Sequence, residues 1–334
     1  MLGRVTRTNV SDGVQMQYEY DNLDQVVRTT YLKDGISRTT NYGYKQGGIP
    51  DTVSLPNSAR IARDLDGLAR VRNRKLTTGT GKLWNTDYAF YSPSAGYTSN
   101  LISGMKHDPI GLNLTYTYDE YGNITEIREN GEVKARYTYD TLGQLVRSDD
   151  GYTGVSTAYK YDDGGNIIRR WEYAYTTGKL GSPGNDIEYE YGNANWKDQL
   201  TNFDGEAITY DAIGNPLNYR NGMKLTWKNG RQLATLRKDG KTASYSYNAD
   251  GIRTKKTVAG GTTEYLLDGS RIVAEKGPEG QLWYYYDSDG TRIAVEYKGK
   301  VYYYYYNLQG DVLGLFDDML NVVVKYTYDS WGWL

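Results

Sequence analysis

The residues best suited by type to do chemistry are few and scattered. His107 is the sole histidine, so no histidine cluster can hold a metal, and a Ser-His-Asp relay would rest on it alone. Beside it, Asp108-Pro109-Ile110-Gly111-Leu112 has the residue types of a loop between strands, which makes His107 an inert loop residue. Asp287-Ser288-Asp289-Gly290 and Asp162-Asp163-Gly164-Gly165-Asn166 suggest calcium loops, but they lack the remaining oxygen ligands and closing Glu of an EF-hand. Turn-forming Asp explains both. Carboxylates are plentiful, yet no spacing singles out a glycosidase pair. Tyr302 to Tyr306, five tyrosines in a row, reads either as a sugar-stacking platform or as one strand showing Tyr on both faces; the second needs nothing further. With no Cys there are no disulfides or thiolate metal sites. The chain reads as a non-enzyme with no cofactor.

What does recur is a phrase, Tyr-x-Tyr-Asp-x-x-Gly. Its clearest copies are Tyr116, Tyr118, Asp119, Gly122, then Tyr137, Tyr139, Asp140, Gly143, then Tyr159, Tyr161, Asp162, Gly165. Further along come Tyr284, Tyr286, Asp287, Gly290 and finally Tyr326, Tyr328, Asp329, Gly332. Two tyrosines two apart project from one face of a strand. The Asp can accept backbone N–H groups and start a turn, which a left-handed Gly closes with a bulge. Between the first two copies, Asn130-Gly131 supplies the opposite reversal. A unit of roughly twenty residues is thus one hairpin, and the chain reads as an all-β antiparallel meander of about fourteen hairpins without a convincing helix.

Weaker copies extend the pattern: Tyr18-Glu19-Tyr20-Asp21 with Asp24 where Gly belongs, Tyr42-Gly43-Tyr44, and Leu65-Asp66-Gly67-Leu68-Ala69 without its Tyr pair. Tyr210-Asp211 to Asn215, Trp227-Lys228, Tyr245-Tyr247-Asn248, Tyr265 with Asp268-Gly269, and Tyr304-Tyr306-Asn307 continue it. Residues 78–113 and 171–195 are the least regular, and a longer loop is predicted in the first of these, around Pro93 and Pro109. Leu2-Gly3-Arg4-Val5 looks like half a unit, and the last phrase ends at Trp333-Leu334 without a returning strand. The expectation is a single repeat array, 1–334, that is a segment of a longer protein.

Composition bounds the rest. The 334 residues carry 39 basic and 41 acidic side chains, which gives no electrostatic footprint for nucleic acid. No stretch approaches the apolar run of a membrane helix, and no membrane insertion is expected. Tyr stands at 36 against 3 Phe, and roughly a quarter of the residues are aliphatic. Mean hydropathy is -0.72. The reading is that a deep aliphatic core is absent and that a curved single layer, its faces covered by Tyr, surrounds a wide cavity.

At these phrases the chain resembles the YD-repeat, or Rhs-repeat, family. Asn307-Leu308-Gln309-Gly310-Asp311-Val312 with Tyr326-Thr327-Tyr328-Asp329-Ser330-Trp331-Gly332 looks like the close of that repeat region, and Tyr191 to Leu200 and Leu225 to Leu233 are similar to Rhs proteins of Gram-positive type. The resemblance implies a sheet that spirals into a hollow shell around a C-terminal toxin, in a secreted or cell-surface polymorphic toxin, or a teneurin-like adhesion scaffold. It implies as partners the remaining repeats, core and toxin of a parent chain. It also marks Asp108 to Leu112 as a match to the D-P-x-G-L string at which such cores are cut. The alternative function is a module that binds surface glycans or a receptor through exposed Tyr and Trp. The architectural rival is a β-propeller, against which the phrase recurs at every hairpin and not every second one.

Overall fold

The computed structural model describes residues 4–9, 13–92, 94 and 96–333. Leu2, Gly3, Pro93 and Leu334, on which parts of the sequence reading fall, lie outside them. The described residues form thirty strands and no α-helix. These belong to two long antiparallel sheets, of eighteen and twelve strands, in a meander of repeated hairpins. Successive strands pair with their neighbours in the chain through far more than four in a row, so there are no propeller blades. The stretch 78–113 is not a long loop. It holds the strands Leu83–Phe90 and Ile102–Asp108 and the start of Leu112–Tyr118. Leu83, Trp84 and Phe90 take strand conformation there although no Tyr-Asp phrase announces it.

The hairpins have two kinds of end. At one, Asn130 and Gly131 both take positive φ, 51° and 88°, as a two-residue turn requires. At the other, the phrase ends with a slip of register at its second aromatic. The break falls between Thr138 and Tyr139, Lys160 and Tyr161, Ser246 and Tyr247, Tyr285 and Tyr286, and Tyr305 and Tyr306. Such a bulge bends the strand and adds right-handed twist. Twist is thereby introduced once per hairpin.

The chain divides into two compact units. One comprises Met1–Thr115, Glu129–Gly131 and Tyr265–Tyr326, the other Tyr116–Arg128, Glu132–Glu264 and Thr327–Leu334. Within the first, a meander from Arg7–Asn9 onward faces a second one running from Arg271–Gly277 to Val322–Lys325, and the space between them is filled. Val53, Ile61, Leu76 and Trp84 on one side meet Val273, Trp283, Tyr285, Ile293, Tyr303 and Phe316 on the other, all nearly or wholly buried. Trp84 stacks on Phe316 with ring centroids 3.9 Å apart and planes 2° from parallel. Arg38 and Glu296 join the two layers by an ion pair at 2.9 Å, under which Tyr285 donates its hydroxyl to the same carboxylate at 2.6 Å.

This corrects the expectation of a single layer around an open space, at least within this unit. Composition averaged over the chain understated the core, because large rings supply here the volume that aliphatic side chains do not. The second unit is closer to expectation. Its buried apolar side chains among the described residues are Tyr116, Ile127, Ala135, Tyr159 and Ile208, and beside them Ser148, Asp149, Asp150 and Ser156 are equally buried. In Lys300–Tyr306 the alternation is plain: Val301, Tyr303 and Tyr305 face the core, while Tyr302 and Tyr304 pack on a second cluster with Tyr284, Tyr286 and Leu315.

The filled interior makes a quantitative demand. Trp84→Ala should lower unfolding stability by about 3–5 kcal/mol, the usual range for deleting a buried large ring. Leu142→Ala, at an exposed loop tip, should change it by less than about 0.5 kcal/mol. Denaturant titration of the two variants measures both.

Candidate functional site: the repeated tyrosine-aspartate joint

At Asp119, Asp140, Asp162 and Asp329 the phrase Asp side chain is occupied by the turn it starts. Asp119 Oδ1 accepts the backbone N–H groups of Tyr121 (3.0 Å) and Asn123 (2.8 Å), and its Oδ2 accepts from the Asn123 side chain at 2.9 Å. Gly122 N–H donates to the Asp119 carbonyl, with Gly122 at φ 87°. Asp140 repeats this with Leu142 and Gln144, Asp162 with Gly164 and Asn166, and Asp329 with Trp331 and Trp333. Gly143, Gly165, Gly290 and Gly332 all take positive φ. Asp162 is therefore committed to its turn.

Several joints lack the Gly. Asp24, Ser58, Ala69 and Leu320 take positive φ at the same place, between 61° and 69°. Two of these turns carry phrases that sequence reasoning missed, Leu55 to Ala59 and Phe316-Asp317 to Asn321. The signal that could have found the second is the Asn four residues after the Asp. Asn123, Asn166, Asn215 and Asn321 all return a side-chain N–H to the Asp Oδ2.

The second aromatic of the phrase ties one hairpin to the one before it. Tyr139 donates its hydroxyl to the carbonyl of Ile124 at 3.0 Å, Tyr161 to Leu145 at 2.7 Å, and Tyr247 to Leu233 at 3.0 Å. Tyr44 reaches Val26, Tyr306 reaches Arg292, and Trp227 does the same with its indole N–H to Pro216. In each case the acceptor is the fifth residue after the Asp position of the preceding phrase, just past its turn. Tyr286 bonds to Ile272 after a turn one residue shorter. Phe could fill the space but could not make the bond.

The first aromatic lies deeper. Tyr116, Tyr159 and Tyr284 are buried, Tyr137 and Tyr326 half-buried. Tyr159 accepts the indole N–H of Trp331 at 2.7 Å, and Tyr284 donates to Glu275 at 3.1 Å. Burial raises the pKa of Tyr118, Tyr139, Tyr159 and Tyr161, the last to about 12, so these hydroxyls stay protonated donors at neutral pH. The carboxylates move the other way. Hydrogen bonds from Asn123 and Asn166 side chains hold Asp119 and Asp162 below the usual carboxylate range, and the Asn215 backbone N–H does so for Asp211.

His107 is not a loop residue. It lies on the strand Ile102–Asp108, is 2% exposed, and sits beside the rings of Trp84 and Tyr305. Its Nε2 lies 3.0 Å from the carbonyl of Tyr306, which can only accept, so Nε2 carries the proton and Nδ1 accepts from the Thr86 hydroxyl at 3.1 Å. Burial lowers its pKa to about 4. Asp108 forms an ion pair with Lys106 at 2.8 Å, and the Asp108 to Leu112 string forms the turn into the next strand, with Gly111 at φ 66°.

The histidine gives a pH signature. Its unfolded form takes up a proton below about pH 6.5, whereas the folded form resists down to about pH 4. Stability should therefore be complete above the first value and fall by about 3 kcal/mol on acidification across the window, an effect absent from His107→Gln. Tyr139→Phe should cost about 1 kcal/mol by losing the bond to Ile124, while Tyr121→Phe at an exposed position should cost nothing measurable. Denaturation midpoints at matched pH test both.

No protein-family profile matches the chain. Among curated proteins, the tRNA3(Ser)-specific nuclease WapA of Bacillus spizizenii is 32% identical over 201 residues, which is 58% of this chain and 8% of that protein. The tRNA nuclease WapA of Bacillus subtilis strain 168 is 31% identical over the same length. The chain spans less than a tenth of these relatives. Among solved structures, TcdB2-TccC3 without its hypervariable C-terminal region matches 99% of this chain and 20% of its own, with TM-score 0.62 and 16% identity. The Photorhabdus luminescens Tc holotoxin pore matches with TM-score 0.58 and 15% identity. These structures share the fold of this chain.

Proposed function

The chain is a YD-repeat (Rhs-repeat) chain with the β-shell fold, and from that premise we propose that it is a non-catalytic wall segment of a toxin-encapsulating shell. The observation that carries this reading is the uniform joint. The carboxylates of Asp21, Asp119, Asp140, Asp162 and Asp329 are engaged by turns, and the hydroxyls of Tyr44, Tyr139, Tyr161 and Tyr306 by backbone carbonyls, in both units alike. Side chains so engaged build a wall and leave no part for a reaction. The repeat residues Tyr116 to Gly143, Tyr284 to Gly290 and Tyr326 to Gly332 are then structural, and the whole chain is one array within a longer, exported protein. Its partners are the other repeats, the core and the toxin of that parent. The nuclease activity named for the relatives belongs, in this reading, to parts of those proteins outside the matched 8%.

A second reading has one observation in its favour. A cleft of about 680 Å³ in the first unit is lined by Tyr18, Tyr20, Tyr42 and Tyr44 with Thr8 and Asp268, a surface suited to sugar rings. Tyr18, however, already donates to Asp268 at 2.6 Å and Tyr44 to Val26. A glycan array discriminates the two: saturable binding abolished by Tyr20→Ala favours the adhesin.

The wall reading is tested on the full-length parent protein. Limited proteolysis should leave its C-terminal cargo intact, and deletion of residues 116–264 should make that cargo digestible at the rate of the free domain. Equal digestion of intact and deleted proteins would refute it.

A further inference from the structure

The first unit contains a cleft of about 660 Å³ in which the repeat breaks its own rule. At Asp119, Asp140 and Asp162 the phrase carboxylate takes the N–H groups two and four residues on. Asp287 does not. It turns to Arg63 in a buried ion pair, and Asp289 takes over the N–H of Thr291 at 2.8 Å. The side chain of Arg63 is 8% exposed, and its Nη1 has no hydrogen-bond partner. Arg292, lining the same cleft, leaves a buried Nε without one. Arg74 lines it too, and its side chain makes no hydrogen bond or ion pair among the described residues.

Buried guanidinium N–H groups without acceptors are costly, and two of them, on Arg63 and Arg292, beside the unpaired side chain of Arg74 mark the space as built for something negative. Burial, and then the charge of Arg74, depress the pKa of Arg63, as expected of an undercompensated positive site. The size of the charge can be bounded. Arg63 is matched by Asp287, and Arg70, also in the cleft, by Asp66 at 2.6 Å. Arg74 and Arg292 against Asp289 leave one unit of excess positive charge. Val71, Tyr88, Phe90, Ile102 and Met105 supply an apolar part of the lining, Asn100, Thr291 and Asn307 a neutral polar one, and the volume is in the range of small-ligand pockets.

We infer that this cleft binds an organic carboxylate with an aromatic-sized apolar body, its carboxylate held by Arg74, with the buried guanidinium groups of Arg63 and Arg292 adding positive potential. Planar guanidinium groups suit a planar carboxylate, and one excess charge matches a monoanion. The site is independent of the wall role, since it lies in a single unit and uses none of the turn bonds.

The test is titration of the full 334-residue chain with phenylacetate, followed by calorimetry or ligand-observed NMR, beside phenylacetamide and phenyl phosphate. Phenylacetate should bind saturably, with the neutral amide at least about tenfold weaker, as loss of a charge-assisted pair implies. Arg74→Gln should weaken phenylacetate by a similar factor without moving the unfolding midpoint, because Arg74 has no structural bond to lose. Equal binding of acid and amide, no saturation, or an unaffected Arg74→Gln would overturn the assignment. Phenyl phosphate binding at least about tenfold more tightly than phenylacetate would overturn the choice of a carboxylate. The acid-amide comparison needs no variant, so a folding defect in Arg74→Gln leaves the test intact.

Discussion

The constraint on which this chain depends is that a tyrosine hydroxyl half-buried in a sheet must find an acceptor. At Tyr139, Tyr161 and Tyr247 that acceptor is a backbone carbonyl in the preceding hairpin, at the residue where its strand resumes after the turn. The carbonyl sits there because the Asp has closed the turn in a fixed number of residues, and the register slips at the Tyr because the turn is asymmetric. Turn, bulge and hydroxyl bond are therefore one joint. This accounts for 36 Tyr against 3 Phe, which burial alone would not favour.

The two units show what that joint can support with different interiors. In the first, face-to-face meanders bury Trp84, Trp283, Tyr285, Tyr303, Tyr305 and Phe316, and unfolding must expose large ring surfaces. In the second, Ser148, Asp149, Asp150 and Ser156 share the buried positions with a handful of apolar residues, and hydrogen bonding contributes more of the cohesion. Arg147 pairs with Asp149 at 2.9 Å, and the Ser156 hydroxyl donates to the Thr176 carbonyl at 3.0 Å, so these polar groups are satisfied. Nearest-neighbour joints hold both, in keeping with repeat arrays whose units depend mainly on adjacent ones.

Local features were legible in the residues; contacts between distant strands were not. Tyr-x-Tyr-Asp-x-x-Gly specifies its turn through atoms within seven positions, and Asn130-Gly131 specifies the opposite one through two φ angles. Asp24 was readable as a left-handed stand-in for Gly, whereas Leu320 was not, because nothing in its type suggests φ 69°. The filled core of the first unit depends on Trp84 meeting Phe316 across more than two hundred residues of sequence. His107 was misread for the same reason: its environment is made by Thr86 and Tyr306, not by Asp108. The Arg63-Asp287 pair likewise joins a strand without a phrase Tyr to a phrase whose Asp has left its turn.

A joint whose donor and acceptor both sit at fixed offsets from one Asp has a consequence for how such proteins change over generations. Gain or loss of a whole hairpin leaves every remaining Tyr opposite a carbonyl of the right kind, whereas a change of one residue within a strand flips the side chains beyond it to the other face. Array length is thus free to drift in steps of about twenty residues while the spacing within each step is far more constrained.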